Sequence, residues 1–251
     1  MGEVESLNDV FFRLGSSAKI VLLCRFDLYE RLSSPNKNKI RQNFAVSLRW
    51  SPSLDESDDA TLGGLILHRA RLSGYVGDDP IRDLLPLNAP VGRRSQSMWE
   101  YLVDQTRHTP RDLIALLSKV QRRSDEGAVT TSQIQRALND YSIEYFVPEL
   151  KDELQGYLST PHVDDVIGLL SSLRRRSFTV AQLTQLARDR GLTLPVLDAV
   201  QILFECSAVG QDSSADSKRH EFRYLNPNLA VHPEIPLVIH RGAWWALNLG
   251  S

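Results

Sequence analysis

Two charged residues stand directly after an apolar run near the start of the chain. The run KIVLLC covers residues 19–24 and has the length and continuous apolar character of a strand buried on both faces. Arg25 and Asp27 follow it, where ligand-facing residues gather in α/β sheets. They either contact a ligand or form a salt bridge at the end of the strand.

A third candidate, Arg111, lies in the first turn of a predicted helix. Thr109 is a good N-cap and Pro110 suits the first helical position. The helix dipole disfavours a cation in this turn, so an arginine placed there often faces an anion. The alternative is that Arg111 pairs with Asp112 or Asp104.

Basic residues near the C-terminus could contact DNA phosphates. The segment TLPVLDAVQILFECSAVG (193–210), which would be the recognition helix, carries Asp198 and Glu205 but no Lys or Arg. A helix that reads the major groove needs donors for guanine and phosphate. A core or protein-facing role is therefore favoured over DNA binding. The candidates for phosphate contacts are Arg174, Arg175, Arg176, Lys218 and Arg219.

No pattern predicts a metal site or a catalytic group. The six histidines are scattered, and none is spaced with another ligand on one element as metal sites require. The two cysteines, Cys24 and Cys206, lie among apolar neighbours, which is typical of buried thiols in a reducing cytoplasm. We therefore predict a cytoplasmic protein with no metal and no independent enzymatic activity.

Composition excludes several classes of protein. The 251 residues are 42% hydrophobic and 24% charged, with a formal net charge of −2, which is typical of a folded globular protein. A chain-wide cationic surface for nucleic acid or membrane is excluded, although a local basic patch is not. The sequence contains no run of about 18 apolar residues, so no membrane span is predicted. The first residues are acidic where a secretory signal peptide would be basic.

The pattern of elements is mainly helical. A helix is predicted over 1–14, strands at 19–24 and 46–50, and helices from residue 62 onwards, with a break near Pro148. Residues 159–162 read as a linker. Beyond them, three short helices and a loop-flanked strand pair have the order of a winged helix-turn-helix.

Four stretches together resemble the C-terminal part of bacterial P-loop ATPases of the AAA-related (STAND) signalling and defence type. In that family the strand that follows Walker B ends in a polar sensor residue, and Arg25 and Asp27 stand at that place here. A Pro-Arg-x-Leu segment of the family's lid supplies a second sensor arginine, which Arg111 matches. The stretches are KIVLLCRFDLYERL (19–32) with NKNKIRQNFAVSLRW (36–50), TRHTPRDLIALLSKVQRR (106–123), VTTSQIQRALNDYSIEYFVPELKDEL (129–154) and HRGAWWAL (240–247).

The resemblance implies three parts and a regulatory role. The parts are 1–60, a small α/β remnant of a P-loop core; 61–158, a helical lid-like bundle; and 159–251, a winged helix. The sequence has no G-x-x-x-x-G-K-[ST] and no acidic strand end for magnesium. ATP would thus bind only with a Walker-bearing segment or partner. The alternative is a stand-alone winged-helix adapter that binds protein or, less favoured, DNA.

Overall fold

The computed structural model describes most of the chain as two units, one within residues 1–47 and one within residues 48–251. Each unit is considered by itself. The described residues are 2–24, 29, 37–46, 50, 61–91, 94–124, 128–212, 220–226 and 228–249. Arg25, Asp27, Lys218, Arg219 and most of the strand predicted at 46–50 lie outside these ranges.

The described part of the first unit includes the helices α1 (Gly2–Arg13) and α2 (Lys37–Phe44). Helix α1 confirms the prediction for 1–14, but none of its residues is buried. The side chain of Asn8, within α1, bonds to the backbone of Ile20, which follows the helix. Its Nδ2 donates to the carbonyl of Ile20 (3.0 Å), and its Oδ1 accepts from the amide of Ile20 (2.8 Å).

The buried strand predicted at 19–24 is wrong for this structure. Residues 16–24 form neither helix nor strand, and Val21, Leu22 and Leu23 are 55–87% exposed. A strand needs a neighbour to pair with its amides and carbonyls, and the described part of this unit holds no second strand. Among the described residues, the backbone of this run is held at Ile20 by the side chain of Asn8, which does not replace a paired strand.

The second unit is mainly helical and carries two small antiparallel sheets. Its elements up to the end of the predicted lid are α3 (Leu62–Leu72), α4 (Pro80–Leu84), β1 (Asn88–Val91), β2 (Arg94–Ser97), α5 (Met98–Val103), α6 (Pro110–Arg123), α7 (Thr131–Tyr141), a π-helix (Ser142–Phe146) and α8 (Val147–Gln155). No helix among the described residues is long and apolar enough to cross a membrane.

Local signals set the helix starts. The hydroxyl of Thr109 accepts from the amide of Asp112 (3.1 Å) and Pro110 opens α6, as predicted. Helix α7 begins at Thr131, where the preceding residue, Thr130, bonds reciprocally with Gln133 in a capping box. Both caps satisfy amides that have no partner inside a helix.

The break predicted near Pro148 does not occur. The chain passes from α7 through the π-helix into α8 without leaving the helical region. The amide of Val147 bonds to the carbonyl of Ser142, five residues back, so the wider turn accommodates a proline that cannot donate an amide hydrogen. Tyr145 and Phe146 lie in this widened turn.

The C-terminal region contains the three predicted helices, and between the first two of them lies a short strand, β3, that was not predicted. The order of the second sheet is β3-β5-β4, with Val238 opposite both Ser177 and Gly210. One strand of the predicted pair, which the sequence places at residues 221–225, is reduced to a single bridge between Glu221 and Gln211. The elements are α9 (Thr160–Ser172), β3 (Ser177–Phe178), α10 (Val180–Asp189), α11 (Val196–Glu205), β4 (Val209–Gln211), β5 (Leu237–Ile239) and a 3₁₀ turn (Arg241–Ala243).

One hydrophobic core joins the regions predicted as lid and winged helix. It takes Leu138 and Phe146 from one side of residue 159 and Leu169, Leu203 and Ile239 from the other. The predicted linker 159–162 is instead the cap and first turn of α9. Fully buried apolar side chains on both sides hold the helices in fixed contact.

Gly242 lies where the 3₁₀ turn meets the π-helix, and we expect Gly242→Ala to destabilise the protein by about 1–3 kcal/mol through overpacking. A Cβ there would stand 2.5 Å from the ring of Phe146 and 2.6 Å from the carbonyl of Gln105. Urea unfolding measures the effect. The control is Gly168→Ala in α9, where a Cβ meets nothing within 4 Å; a loss of stability in the control alone would contradict the argument.

Candidate functional site

The turn between α5 and α6 carries a buried arginine that sequence reasoning did not select. Arg107 is 9% exposed and precedes the Thr109 cap by two residues. His108, between them, adopts a positive φ of 53°, which is uncommon for a residue with a side chain. This turn directs the side chain of Arg107 inward, whereas Arg111, one helical turn later, points outward.

The guanidinium of Arg107 binds two carboxylates. Its Nε donates to Asp112 Oδ2 (3.0 Å), and its Nη1 donates to both oxygens of Glu153 (2.9 Å each). The same Nη1 lies 3.5 Å from the carbonyl oxygen of Cys206, the C-cap of α11. The guanidinium also lies over the ring of Phe146, 5.3 Å from its centroid. One side chain therefore contacts α6, α8, the π-helix and the end of α11.

The ion pairs of this cluster favour the ionised forms of Arg107 and Asp112. Burial alone would raise the pKa of Asp112, but the ion pair and hydrogen bonds with Arg107 outweigh it and lower the pKa. Burial alone would lower the pKa of Arg107, but the carboxylates of Asp112 and Glu153 outweigh it and raise the pKa. The hydroxyl of Tyr145 donates a further hydrogen bond to Asp112 (3.0 Å).

Arg111 lies beside this cluster but at the surface. Its side chain is 76% exposed, and its Nη1 is 2.9 Å from Glu149 Oε1. It pairs with neither Asp112 nor Asp104, the two partners that the sequence offered as the alternative to a ligand; Asp104 instead pairs with Arg241. Glu149 lies one turn before Glu153 on α8, so a single helix carries the acidic partners of both arginines.

Aromatic rings and two histidines continue the cluster towards the C-terminus. His240 is stacked on Phe146 with 4.9 Å between ring centroids, and Tyr224 lies against both His240 and His108. Burial lowers the pKa of His240 to about 3 and that of His108 to about 4. Both imidazoles are therefore neutral at pH 7.

Three polar atoms of this region have no hydrogen-bond partner in the part of the chain that the structure describes. They are Nε2 of His108, Nε2 of His240 and the hydroxyl of Tyr141. The other nitrogen of His240, Nδ1, accepts from the amide of Gly242 (3.0 Å). The described residues contain no group of His, Cys, Asp or Glu side chains that could hold a metal ion.

The predicted DNA-contact residues divide into two kinds. Arg174 and Arg175 are exposed, whereas Arg176 is part of the fold: its guanidinium lies 3.9 Å from the centroid of Trp244. Lys218 and Arg219 lie outside the described residues. Helix α11 exposes Leu197 and Asp198.

The region that carries both arginines is similar to a known helical domain. Residues 61–147 match the FunZ-associated C-terminal helical domain. The match spans α3 to the start of α8, so it includes Arg107, Arg111 and the π-helix, whereas Glu149, Glu153 and Cys206 lie beyond it. No curated protein and no solved structure matches this chain.

We expect Arg107→Met to destabilise the protein by about 3–5 kcal/mol, because it leaves the buried carboxylate of Asp112 and the half-buried carboxylate of Glu153 without their cation. Arg111→Met removes an equally short but exposed ion pair and should cost less than about 1 kcal/mol. Urea unfolding of both variants provides the comparison. Equal losses for the two substitutions would show that Arg107 is not the cation on which the cluster depends.

Stability should fall when the pH drops below about 6.5. Unfolded histidine titrates near 6.5, whereas folded His240 titrates at about 3, so between these values the unfolded chain binds a proton that the folded chain does not. That difference removes about 1.4 kcal/mol per pH unit for each such group. Unfolding measured from pH 7 to 4 should show a shallower decline in His240→Asn, and an identical decline would contradict the assignment.

Proposed function

We propose that this chain is an accessory, regulatory part of a P-loop nucleoside triphosphatase of the signalling or defence type, without catalysis of its own. Two observations support this. The first is the match of residues 61–147 to a domain described as FunZ-associated and C-terminal. The second is the order of the stretches at 106–123, 129–154 and 240–247, which resemble the lid and C-terminal part of such ATPases. The stretch at 19–32 gives no such support, because its first six residues do not form the sensor strand.

The environment of Arg111 carries the proposal. Its guanidinium projects from the first turn of α6, and the ion pair with Glu149 leaves 76% of the side chain exposed. Such exposed pairs contribute only about 0–1 kcal/mol, whereas an arginine can bind phosphate through two parallel, charge-assisted hydrogen bonds. A polyphosphate can therefore displace Glu149 at little cost.

The buried cluster beside Arg111 fixes the direction in which it projects. Asp112, the next residue, is held by Arg107 and Tyr145, and its amide is held by the cap Thr109. A sensor has to keep its backbone still while its side chain exchanges partners. In this role Arg111 meets nucleotide phosphates that are held by a Walker-bearing segment or partner, and Arg25 and Asp27 are further phosphate-facing candidates.

Residues 159–251 serve as a winged-helix module in this proposal. The helix–strand–helix–helix–strand–strand order and the β3-β5-β4 sheet support it. Helix α11 presents Leu197 and Asp198 outward and carries no basic residue, which favours a protein partner over DNA. A stand-alone adapter acting through this helix is the second candidate.

We expect Arg111→Ala to weaken ATP binding roughly 10- to 100-fold, since a charge-assisted hydrogen bond contributes about 1.5–3 kcal/mol. The sample is the protein isolated from its own cells together with any Walker-bearing segment or partner, titrated with fluorescent ATP. Its intact mass, compared with 28.3 kDa, shows whether such a segment is covalently attached.

The matched control is Arg123→Ala. Arg123 lies at the other end of α6 and also pairs with an acid of a neighbouring helix, Asp140 (2.6 Å). ATP affinity should stay within about twofold of the wild type there. Failure of the wild type to bind ATP, or equal affinity in Arg111→Ala, would refute the nucleotide role and leave the adapter.

A further inference from the structure

Arg107 joins the region of Arg111 to the C-terminal end of α11. Its acceptors belong to separate elements: Asp112 on α6, Glu153 on α8, and the backbone carbonyl of Cys206 after α11. The guanidinium is buried among them. A change in the spacing of α6 and α8 therefore alters the position of a group that also contacts the end of α11.

Helix α8 forms an ion pair with each of the two arginines. Glu149, which pairs with exposed Arg111, and Glu153, which pairs with buried Arg107, are four residues apart and so share one helical face. Removing the first pair releases one of the two ion pairs between α8 and the Arg107–Arg111 region. The Glu153–Arg107 pair then remains to hold α8 against this region.

A second chain of contacts leads from Arg107 to the same end of α11. The guanidinium lies over Phe146, whose ring stacks on His240. The amide of His240 donates to the carbonyl of Ala208 (2.9 Å). Cys206 and Ala208 flank Ser207, which has a positive φ of 56°, so both chains of contacts reach the same tight turn.

We propose that Arg107 couples the partner exchange of Arg111 to the turn at residues 206–208, which ends α11. When Arg111 leaves Glu149, the turn opens more often, and the outward face of α11 changes its presentation to a partner. This inference rests on the proposed function only for the identity of the ligand that draws Arg111 away. The coupling itself belongs to the chain and needs no nucleotide.

The Arg107→Lys variant distinguishes the proposed coupling from the effect of the positive charge alone. An arginine fork can bind two carboxylates and a carbonyl in fixed directions, whereas an ammonium group is a compact point charge on a flexible stem. Arg107→Lys therefore keeps the cation near Asp112 and Glu153 but loses the simultaneous contact with Cys206. Arg107 is in this sense a positioning residue.

The experiment is amide hydrogen exchange of peptides covering residues 203–208. Arg111→Glu places a second acid opposite Glu149 and breaks the pair without any ligand. We expect exchange in 203–208 to become at least about threefold faster, because local opening follows the free energy of the turn. In the Arg107→Lys background the same substitution should change exchange less than about 1.5-fold.

The control is Arg123→Glu, which breaks the Arg123–Asp140 pair and should leave exchange in 203–208 unchanged. Where Arg107→Lys does not fold, Glu153→Gln provides the uncoupled background. Equal acceleration in both backgrounds, or none in the wild-type background, overturns the coupling.

Titration with ATP forms a separate arm of the experiment. Coupling seen with Arg111→Glu while ATP fails to bind would refute the nucleotide role alone. ATP binding through Arg111 without any change in 203–208 of the wild type would refute the coupling alone.

Discussion

The second unit depends on one buried cation. The guanidinium of Arg107 binds the buried carboxylate of Asp112 and the half-buried carboxylate of Glu153, because a charge inside a protein has to be paired and hydrogen-bonded. Burying charges is costly, and the cost is offset only when geometry and hydrogen bonding are good; here Tyr145 adds a donor and Phe146 a ring face. The position of the first turn of α6, and with it the exposure of Arg111, follows from this cluster.

The features predicted correctly from sequence are those set by near neighbours. Thr109 and Pro110 define the start of α6 because a cap bonds to an amide three residues away. The prediction failed where the partner lies far along the chain. The run at 19–24 has the composition of a strand, but a strand exists only beside another strand. The N-terminal α/β remnant thus stays a prediction, and much of it falls outside the described residues.

The candidate site shows the same division between local and distant partners. Arg107 and Arg111 stand four residues apart in TRHTPRD, and nothing in that spacing distinguishes the buried arginine from the exposed one. Their acids, Glu153 and Glu149, are 46 and 38 residues away. His240 is farther still, and its neutrality follows from burial among aromatic rings. A local pattern could not predict these pairings because they depend on how the helices pack.

The π-helix sets the angular phase of α8. A π turn accommodates one more residue than an α turn, and each residue advances a helix by about 100°. Without the extra residue in Ser142–Phe146, Glu149 and Glu153 would rotate together away from α6. Arg107 would lose Glu153 and Arg111 would lose Glu149 in a single step. A one-residue deletion here would therefore remove the Glu149–Arg111 and Glu153–Arg107 ion pairs together. A sequence alignment that treats this segment as ordinary α-helix would place both acids on the wrong face.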